Sequence, residues 1–498
     1  MCPAKGALTV ADTLKILYVT SELAPLLSTG GLAEVAAALP RALRARGHDV
    51  RVAMPCYRQI ASKFQGEQFC MVMAELGEKT QYGALRAAVV PDTDIPLYLV
   101  EHDGYFGREA PYGVGAYEYD DNAERFCFFC QSLFHGIPQT GWVPDVIHCN
   151  DWHGAPMAIY LKTRHKNDPV WGRVTCLFTI HNLAHQGRYS AALFPATGFD
   201  PALLAPECLL FHGDMNFMKG AILLADTLST VSPRYAKEIQ TAEYGCGLER
   251  ELGARASDLY GVLNGVDYGV WNPAADPHIV RQYSLEAPQG KQECKASLQR
   301  VFGLPVSNAP LFGAVSRLFW QKGFDFVLDA MDRLMAHDAQ FVLLGSGDPS
   351  LETHLSGCAQ RYAGRVGVYL GYDAALSHKV VAGSDFFVMP SRYEPCGLAQ
   401  MYALAYGTAP IVRRTGGLAD TVTDATPANL RRNTATGLSF VPKTAAALAR
   451  AYDRAVALHA DPKAMQQVRQ AGMSRDFSWD RSCEDYEALY RKTMGKVS

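Results

Sequence analysis

The feature that most constrains this chain is a strand–turn–helix–strand alternation that runs through one half and then begins again. "LKILYVTSE" (Leu14–Glu22) is a short run of β-favouring residues. A proline, a serine and two glycines follow. Then comes "LAEVAAALPRALRARGH", apolar at helical spacing with a stop at Gly47, and then a second β-rich run, "DVRVAMP". This is the unit of a parallel α/β sheet. The alternation continues through "PDVIHCNDWH", "RVTCLFTIHN", "ADTLSTVSP" and "DLYGVLNGVD". From Leu311 it restarts: "LFGAVSRL" reads as a strand, "FDFVLDAMDRLM" as a helix and "AQFVLLGSGD" as a strand, with "RVGVYLGY", "SDFFVMPS" and "TAPIVRR" as three further strands. The polar stretch Asn272–Gln292 separates the halves. The chain therefore reads as two α/β domains, residues 1–271 and 272–475, followed by a terminal segment 476–498. In that segment Trp479, Cys483, Tyr486 and Tyr490 fall on one helical face. The helix either packs on the domain that precedes it, to which the sequence leans, or crosses back to the first.

A second repeat sits inside this rhythm. Thr-Gly-Gly-Leu-Ala occurs at Thr29–Ala33 and again at Thr415–Ala419, each time followed by an acid, with Ser28 before the first copy and Arg414 before the second. Two open α/β domains in tandem bind ligands at the carboxyl ends of their strands, in the crevice between them. Glycines at a helix start let a ligand approach the backbone, and the helix N-terminus favours an anion. A tight βα turn alone would explain either copy; the pair argues for function.

Bulk properties exclude several classes. Of 498 residues, 48% are hydrophobic and 19% charged, and the net charge is −3. This balance gives no reason to expect a nucleic acid or an anionic membrane as partner. No run of ~18 apolar residues could span a bilayer, and the N-terminus lacks the order of a signal peptide. The 13 cysteines, an odd number, are scattered. They read as reduced core residues of a cytoplasmic protein. "GSGDPS" (Gly345–Ser350) lacks the third glycine of a dinucleotide fingerprint, and no P-loop is present. Asp151 and His153 have no companion cluster, so no metal site and no cofactor is expected.

Four stretches place unusual polar residues after strand ends: Asp151 and His153 in "CNDWHG", His181 and Asn182 in "TIHNLAHQG", Arg317 and Lys322 in "AVSRLFWQKG", and Glu394 in "PSRYEPCGL". Arg317 and Lys322, on the turn after a strand, suit a phosphate or diphosphate. Glu394 is open to two readings, a cap on the next helix or an acceptor for sugar hydroxyls.

"TGGLAEV", "HCNDWHGA", "TIHNLAHQG", "VLNGVDYGVWNP", "VSRLFWQKGFD", "LGYDAALSHKVVAGSDFFVMPSRYEPCGLAQMYALAYGTAPIVRRTGGLADTV" and "FSWD", in that order, resemble the bacterial and plant starch/glycogen synthase family of the ADP-glucose type. The resemblance implies two Rossmann-like domains facing a central cleft, the glycosyltransferase B fold. The first domain would serve the acceptor side and the second would bind the nucleotide sugar. It implies a metal-independent retaining hexosyltransferase that moves glucose from ADP-glucose to the non-reducing end of an α-1,4-glucan, glycogen or a maltooligosaccharide. By match to the family motifs, His181 would lie against the donor glucose through its backbone carbonyl, and Asp151 would shape the acceptor side. Arg317 and Lys322 would neutralise the leaving diphosphate. Glu394 would hold glucose hydroxyls above the turn Cys396, Gly397, Leu398. Tyr372 would stack on the base, Asn264 would lie near the donor sugar, and Thr415, Gly416 and Gly417 would offer N–H groups to the diphosphate. Thr29, Gly30 and Gly31 would meet the donor from the first domain.

The chain departs from the family pattern in three places. Ser28 stands where the family carries a lysine thought to contact the donor phosphates, with Arg58 a substitute cation. Phe319 and Trp320 replace small polar residues, either as a sugar or base contact or as plain packing. Tyr402 occupies the position at which wider groups of retaining transferases carry a second glutamate, in keeping with the starch synthase branch. The missing lysine leaves two alternatives: the same fold with UDP-glucose or another donor or acceptor, or a glucan-binding protein with weakened catalysis.

Overall fold

The computed structural model describes residues 13–63, 67–115 and 117–496. The chain divides into two compact units: Met1–Val231 with Ala236–Gly265 and Trp479–Ser498, and Ser232–Tyr235 with Val266–Ser478.

The first unit is built on a nine-stranded sheet in the order Leu259–Gly261, Thr227–Thr230, Thr175–Ile180, Val146–Asn150, Lys15–Val19, Asp49–Pro55, Pro96–Glu101, Lys79–Val89, Glu67–Leu76. The first seven strands are parallel, and Lys15–Val19 pairs in register with Asp49–Ala53. Helices cover both faces. For that reason Ile16, Leu17, Tyr18 and Val19 are all fully buried and the run is apolar throughout instead of alternating. The last two strands form an antiparallel hairpin that the alternation did not announce. Its outer face exposes Met71 and Tyr82, so it reads as neither a buried strand nor a helix. Helix Gly31–Ala45 turns Leu32, Val35, Ala36, Leu39 and Leu43 inward. Helix Asn122–Gly136 carries Cys127 and Cys130, a Cys-x-x-Cys pair that is buried and not in a disulfide.

The terminal helix, Trp479–Met494, belongs to this first unit, which corrects the lean toward the preceding domain. Trp479, Cys483, Tyr486 and Tyr490 are buried as their spacing requires. What the spacing could not show is the surface they meet. Arg46, just past the end of the first helix, forms a two-pronged pair with Glu487 at 2.6 and 3.0 Å and reaches Asp480 at 2.8 Å. His48 Nε2 lies 3.0 Å from Glu487, and Tyr490 Oη lies 2.8 Å from His148 Nδ1.

The second unit holds six parallel strands in the order Val366–Leu370, Gln340–Gly347, Leu311–Leu318, Phe386–Met389, Ala409–Arg413, Leu438–Phe440. The supposed boundary segment packs on this unit. Trp271 is sandwiched between His378 and Tyr402, with centroids at 3.9 and 4.0 Å and ring planes within 4° and 6°. Asp276 accepts the Tyr406 hydroxyl at 2.6 Å and pairs with His378 at 2.7 Å. The division therefore falls at Gly265/Val266, ahead of Asn272. Among the described residues no helix is long and apolar enough to cross a membrane.

Candidate active site

Each unit gathers its expected residues at the carboxyl edge of its own sheet. In the first unit, strand Val146–Asn150 passes directly into helix Asp151–Lys162. Asp151 takes a φ of 51°, a left-handed conformation that aspartate tolerates better than most residues. This aims its carboxylate at the next strand end, where Oδ1 accepts the His181 N–H at 2.7 Å and the Asn182 N–H at 3.4 Å. Burial pushes the carboxyl up to about 7, with those two N–H bonds opposing.

The other end of His181 is held as firmly. Its Nε2 lies 2.8 Å from Asn150 Oδ1, which also accepts the Tyr18 hydroxyl at 3.1 Å. Asn150 Nδ2 is donated to the Val19 and His148 carbonyls, which fixes which end of the amide is oxygen. His181 therefore carries its proton on Nε2. Burial pulls its basicity down to about 3, so the ring is neutral near pH 7. Asp151 fixes the backbone at position 181 and Asn150 fixes the ring.

The first Thr-Gly-Gly turn is tied to this unit through Glu22. The Glu22 carboxylate accepts the Thr29 N–H and hydroxyl, both at 2.6 Å, and the Tyr112 hydroxyl at 2.8 Å. Gly30 is extended, and a side chain added to Gly30 or Gly31 would meet nothing within 4 Å. Ser28 and Arg58 are both exposed. Asn264 is buried, with its Oδ1 lacking a hydrogen-bond partner among the described residues. His153 is not part of a ligand cluster: its ring stacks on Trp152 at 3.9 Å. Among the described residues no three His, Cys, Asp or Glu converge as a metal site would require.

In the second unit, Lys322 Nζ lies 2.9 and 2.8 Å from the two oxygens of Glu394, and Ser391 donates its hydroxyl to the same carboxylate at 2.8 Å. This excludes the capping reading of Glu394, since helix Ala399–Ala405 starts at Leu398 without a side-chain cap. Arg317 belongs to strand Leu311–Leu318 itself instead of the turn beyond it, and its exposed guanidinium lies 5.6 Å from the Phe319 ring centroid. Phe319 and Trp320 are 49% and 69% exposed, so plain core packing does not account for them. Arg392 stacks on the Trp320 ring at 4.7 Å while paired with Asp325 at 2.7 and 2.5 Å. Tyr372 is 80% exposed, its ring open to a planar partner. The dinucleotide-like "GSGDPS" has a structural use: Asp348 caps helix Pro349–Arg361 through Ser350 N–H at 2.7 Å.

The second Thr-Gly-Gly turn packs against the Glu394 segment. Gly416 has a φ of 43°, and a side chain there would lie 1.9 Å from the Glu394 carbonyl; one on Gly417 would lie 2.1 Å from the Cys396 carbonyl. The Gly417 N–H already donates to the Glu394 and Pro395 carbonyls at 3.2 and 3.1 Å, and the Thr415 N–H to Arg413 at 2.9 Å. These glycines admit the protein's own backbone, and two of the N–H groups expected to face a diphosphate already donate to protein carbonyls, that of Thr415 beside the turn and that of Gly417 on the Glu394 segment. Arg414 is exposed, whereas buried Arg413 holds the Ser391 carbonyl at 2.7 Å. Cys396 is buried, and Gly397 takes a φ of 72° ahead of Leu398.

Sequence reasoning missed Glu22, Tyr112, Asn150 and Ser391. Glu22, Asn150 and Ser391 each lie at or just beyond a strand end, where they could have been sought. Tyr112 comes from a loop with no pattern of its own.

Residues 15–254 match the starch synthase catalytic domain family, and residues 299–473 match the glycosyl transferases group 1 family. The chain is 46% identical over 481 residues to glycogen synthase 2 of Geobacter sulfurreducens, covering 96% of this chain and 98% of that one. The chain belongs to the starch/glycogen synthase family. A second member, glycogen synthase of Thioalkalivibrio sulfidiphilus, is 44% identical over 485 residues, covering 96% of this chain and 99% of that one. Among solved structures, the catalytic domain of starch synthase IV from Arabidopsis thaliana, bound to ADP and acarbose, matches with a TM-score of 0.87 and 32% identity, over 97% of this chain and all of that one. As a member of this family the protein is a glycosyltransferase with the glycosyltransferase B fold of two α/β domains.

Proposed function

We propose that this enzyme transfers glucose from ADP-glucose to the non-reducing end of an α-1,4-glucan with retention of configuration, in the cytoplasm. The observation that carries the reading is the Lys322–Glu394–Ser391 cluster at the strand ends of the unit that matches the glycosyl transferases group 1 family. Arg317 and Lys322 take the donor diphosphate, with the turn at Thr415, Gly416 and Gly417 beside it. Glu394 receives glucose hydroxyls above Cys396, Gly397 and Leu398, and Tyr372 stacks on the base. In the first unit His181 presents its backbone carbonyl to the donor glucose, Asp151 holds that carbonyl in place, and Asn264 and the Thr29, Gly30, Gly31 turn complete the donor contacts.

The chemistry follows from charge. As the bond from the anomeric carbon to the diphosphate oxygen breaks, the carbon becomes oxocarbenium-like and the phosphate gains negative charge. Arg317 and Lys322 stabilise that charge where it develops. The acceptor hydroxyl then bonds to the anomeric carbon on the same face and passes its proton to the departing phosphate oxygen. Glu394 is a poor covalent nucleophile, because both of its oxygens already accept hydrogen bonds from Lys322 and Ser391. A glucosyl–protein adduct trapped on a slow substrate would overturn this front-face route.

The exposed serine at position 28 favours one alternative, a donor other than ADP-glucose. Release of nucleoside diphosphate from ADP-glucose and from UDP-glucose, with and without glycogen, decides between them. Glycogen-dependent ADP release is the expected result; release from neither donor would refute the transferase reading.

A further inference from the structure

Beneath the sheet of the second unit, at the edge opposite Arg317 and Glu394, lies a cavity of about 490 Å³ that the transferase reading leaves unused. Lys291, Lys295, His459 and Arg469 line it. Asp385, which precedes strand Phe386–Met389, is the carboxylate facing them. Lys295 reaches it at 2.7 Å, Arg469 at 2.6 Å and His459 at 3.5 Å.

Lys291 has no carboxylate partner among the described residues. Its three ammonium protons go to neutral acceptors: the Ala382 and Tyr406 carbonyls, both at 3.0 Å, and the Thr408 hydroxyl at 2.7 Å. Three basic side chains thus face one carboxylate: Lys295 and Arg469 leave one positive charge in excess of Asp385, and two when Lys291 is protonated, before His459 is counted. An uncompensated buried charge is expensive. Burial, with Arg469 nearby, accordingly pulls the Lys291 ammonium well below the ordinary lysine range. Arg469 adds a separate sign of a missing partner, since its buried Nε has no acceptor among the described residues.

The remaining walls describe the rest of the ligand. Gln289, Gln292 and Gln466 offer amides, and Tyr283 and Met465 offer apolar surface. The volume falls in the ~300–1,000 Å³ range of small-molecule sites. We propose that this cavity binds a small phosphate monoester, its phosphate among Lys291, Lys295 and Arg469 and its hydroxyl-bearing body against the glutamine amides. A phosphate monoester carries about −1.5 to −2 at neutral pH, enough to offset the excess on Lys295 and Arg469 and to keep Lys291 protonated beside it; a monocarboxylate carries too little charge to do both.

The test measures thermal unfolding and calorimetric binding of the full-length enzyme with glycerol 3-phosphate and with inorganic phosphate, against chloride at equal ionic strength. Phosphate also binds wherever a diphosphate does, so variants must locate the effect. Gln466 is exposed at the rim, and Gln466→Trp blocks the cavity without touching the charge cluster. The wild type is expected to gain ~2 °C or more in 10 mM glycerol 3-phosphate and to bind it more tightly than inorganic phosphate. Q466W is expected to lose at least ten-fold in affinity while keeping wild-type turnover. Arg469→Gln should show the same loss if it folds, and Q466W decides the matter if it does not. Equal binding by Q466W and wild type, or no binding of either probe to the wild type, overturns the proposal.

Discussion

Lys322 and Glu394, 72 residues apart in the chain, meet with Nζ 2.8 Å from Oε2 and 2.9 Å from Oε1. The Glu394 side chain is 7% exposed and the Lys322 side chain 20%. Removing one partner of such a pair leaves the other charge poorly solvated, whereas replacing both with neutral groups does not. Lys322→Ala should therefore lose roughly 3 kcal/mol of stability as well as at least ~10²-fold in kcat. The double exchange Lys322→Met with Glu394→Gln should recover most of the stability and none of the activity. Circular dichroism melts beside initial rates check both; near-normal turnover in Lys322→Ala removes that residue from the reaction.

The two Thr-Gly-Gly turns should respond oppositely to alanine. Gly416→Ala forces a side chain onto the Glu394 carbonyl at a positive φ. It should cost more than ~2 kcal/mol and reduce turnover through displacement of Glu394. Gly30→Ala meets open space at extended φ, so its stability should change by less than ~1 kcal/mol. Any loss there should appear as a higher KM for the donor. Chemical denaturation and donor saturation curves separate the two cases.

Asp151 and His181 are bonded to each other, yet they couple to pH with opposite sign. The Asp151 carboxyl titrates near 7 in the fold and near ~4 when unfolded. Between these values the folded state holds the extra proton, so stability falls as pH rises. His181 titrates near 3 in the fold and near ~6.5 when unfolded. There the unfolded state holds the extra proton, so stability rises with pH. From about pH 4 to 6.5 the two slopes, each at most ~1.4 kcal/mol per pH unit, oppose one another. Relative to wild type, Asp151→Asn should tilt the stability profile upward with pH and His181→Gln should tilt it downward. Denaturation at pH 4.5, 5.5 and 6.5 measures the tilts; three parallel profiles would contradict the assignment.

Ser28→Lys should lower the donor KM several-fold with little change in kcat, because it restores a cation beside the first glycine turn. An unchanged or higher KM would mean that position 28 is not a phosphate contact in this chain.

Much of the fold was legible because buried parallel strands leave short β-rich runs and their helices an apolar face: "DVRVAMP" and "LFGAVSRL" correspond to observed strands end to end, and "FDFVLDAMDRLM" to an observed helix. The hairpin Glu67–Val89 was not legible, since its partly exposed face mixes Met, Tyr and charged residues with no clean period. Within the candidate site, motif residues could be named, but their bonds could not. Lys322 was expected to await a phosphate, and its clasp of Glu394 depends on how two strand ends meet. Likewise glycine is needed at 416 and 417 because of a carbonyl on another segment, which the repeated Thr-Gly-Gly spelling cannot reveal.

The return of helix Trp479–Met494 to the first unit fixes an order of events during synthesis. The first unit emerges from the ribosome early but without its last helix, so Tyr18, His148 and the end of the first helix lack their cover. At ~5–20 residues per second, the intervening ~200 residues occupy roughly 10–40 s. The amino-terminal half thus waits for the last codons before it can close. A premature stop near residue 478 would leave the domain that carries Asp151 and His181 incomplete, although every residue of its candidate site had already been made.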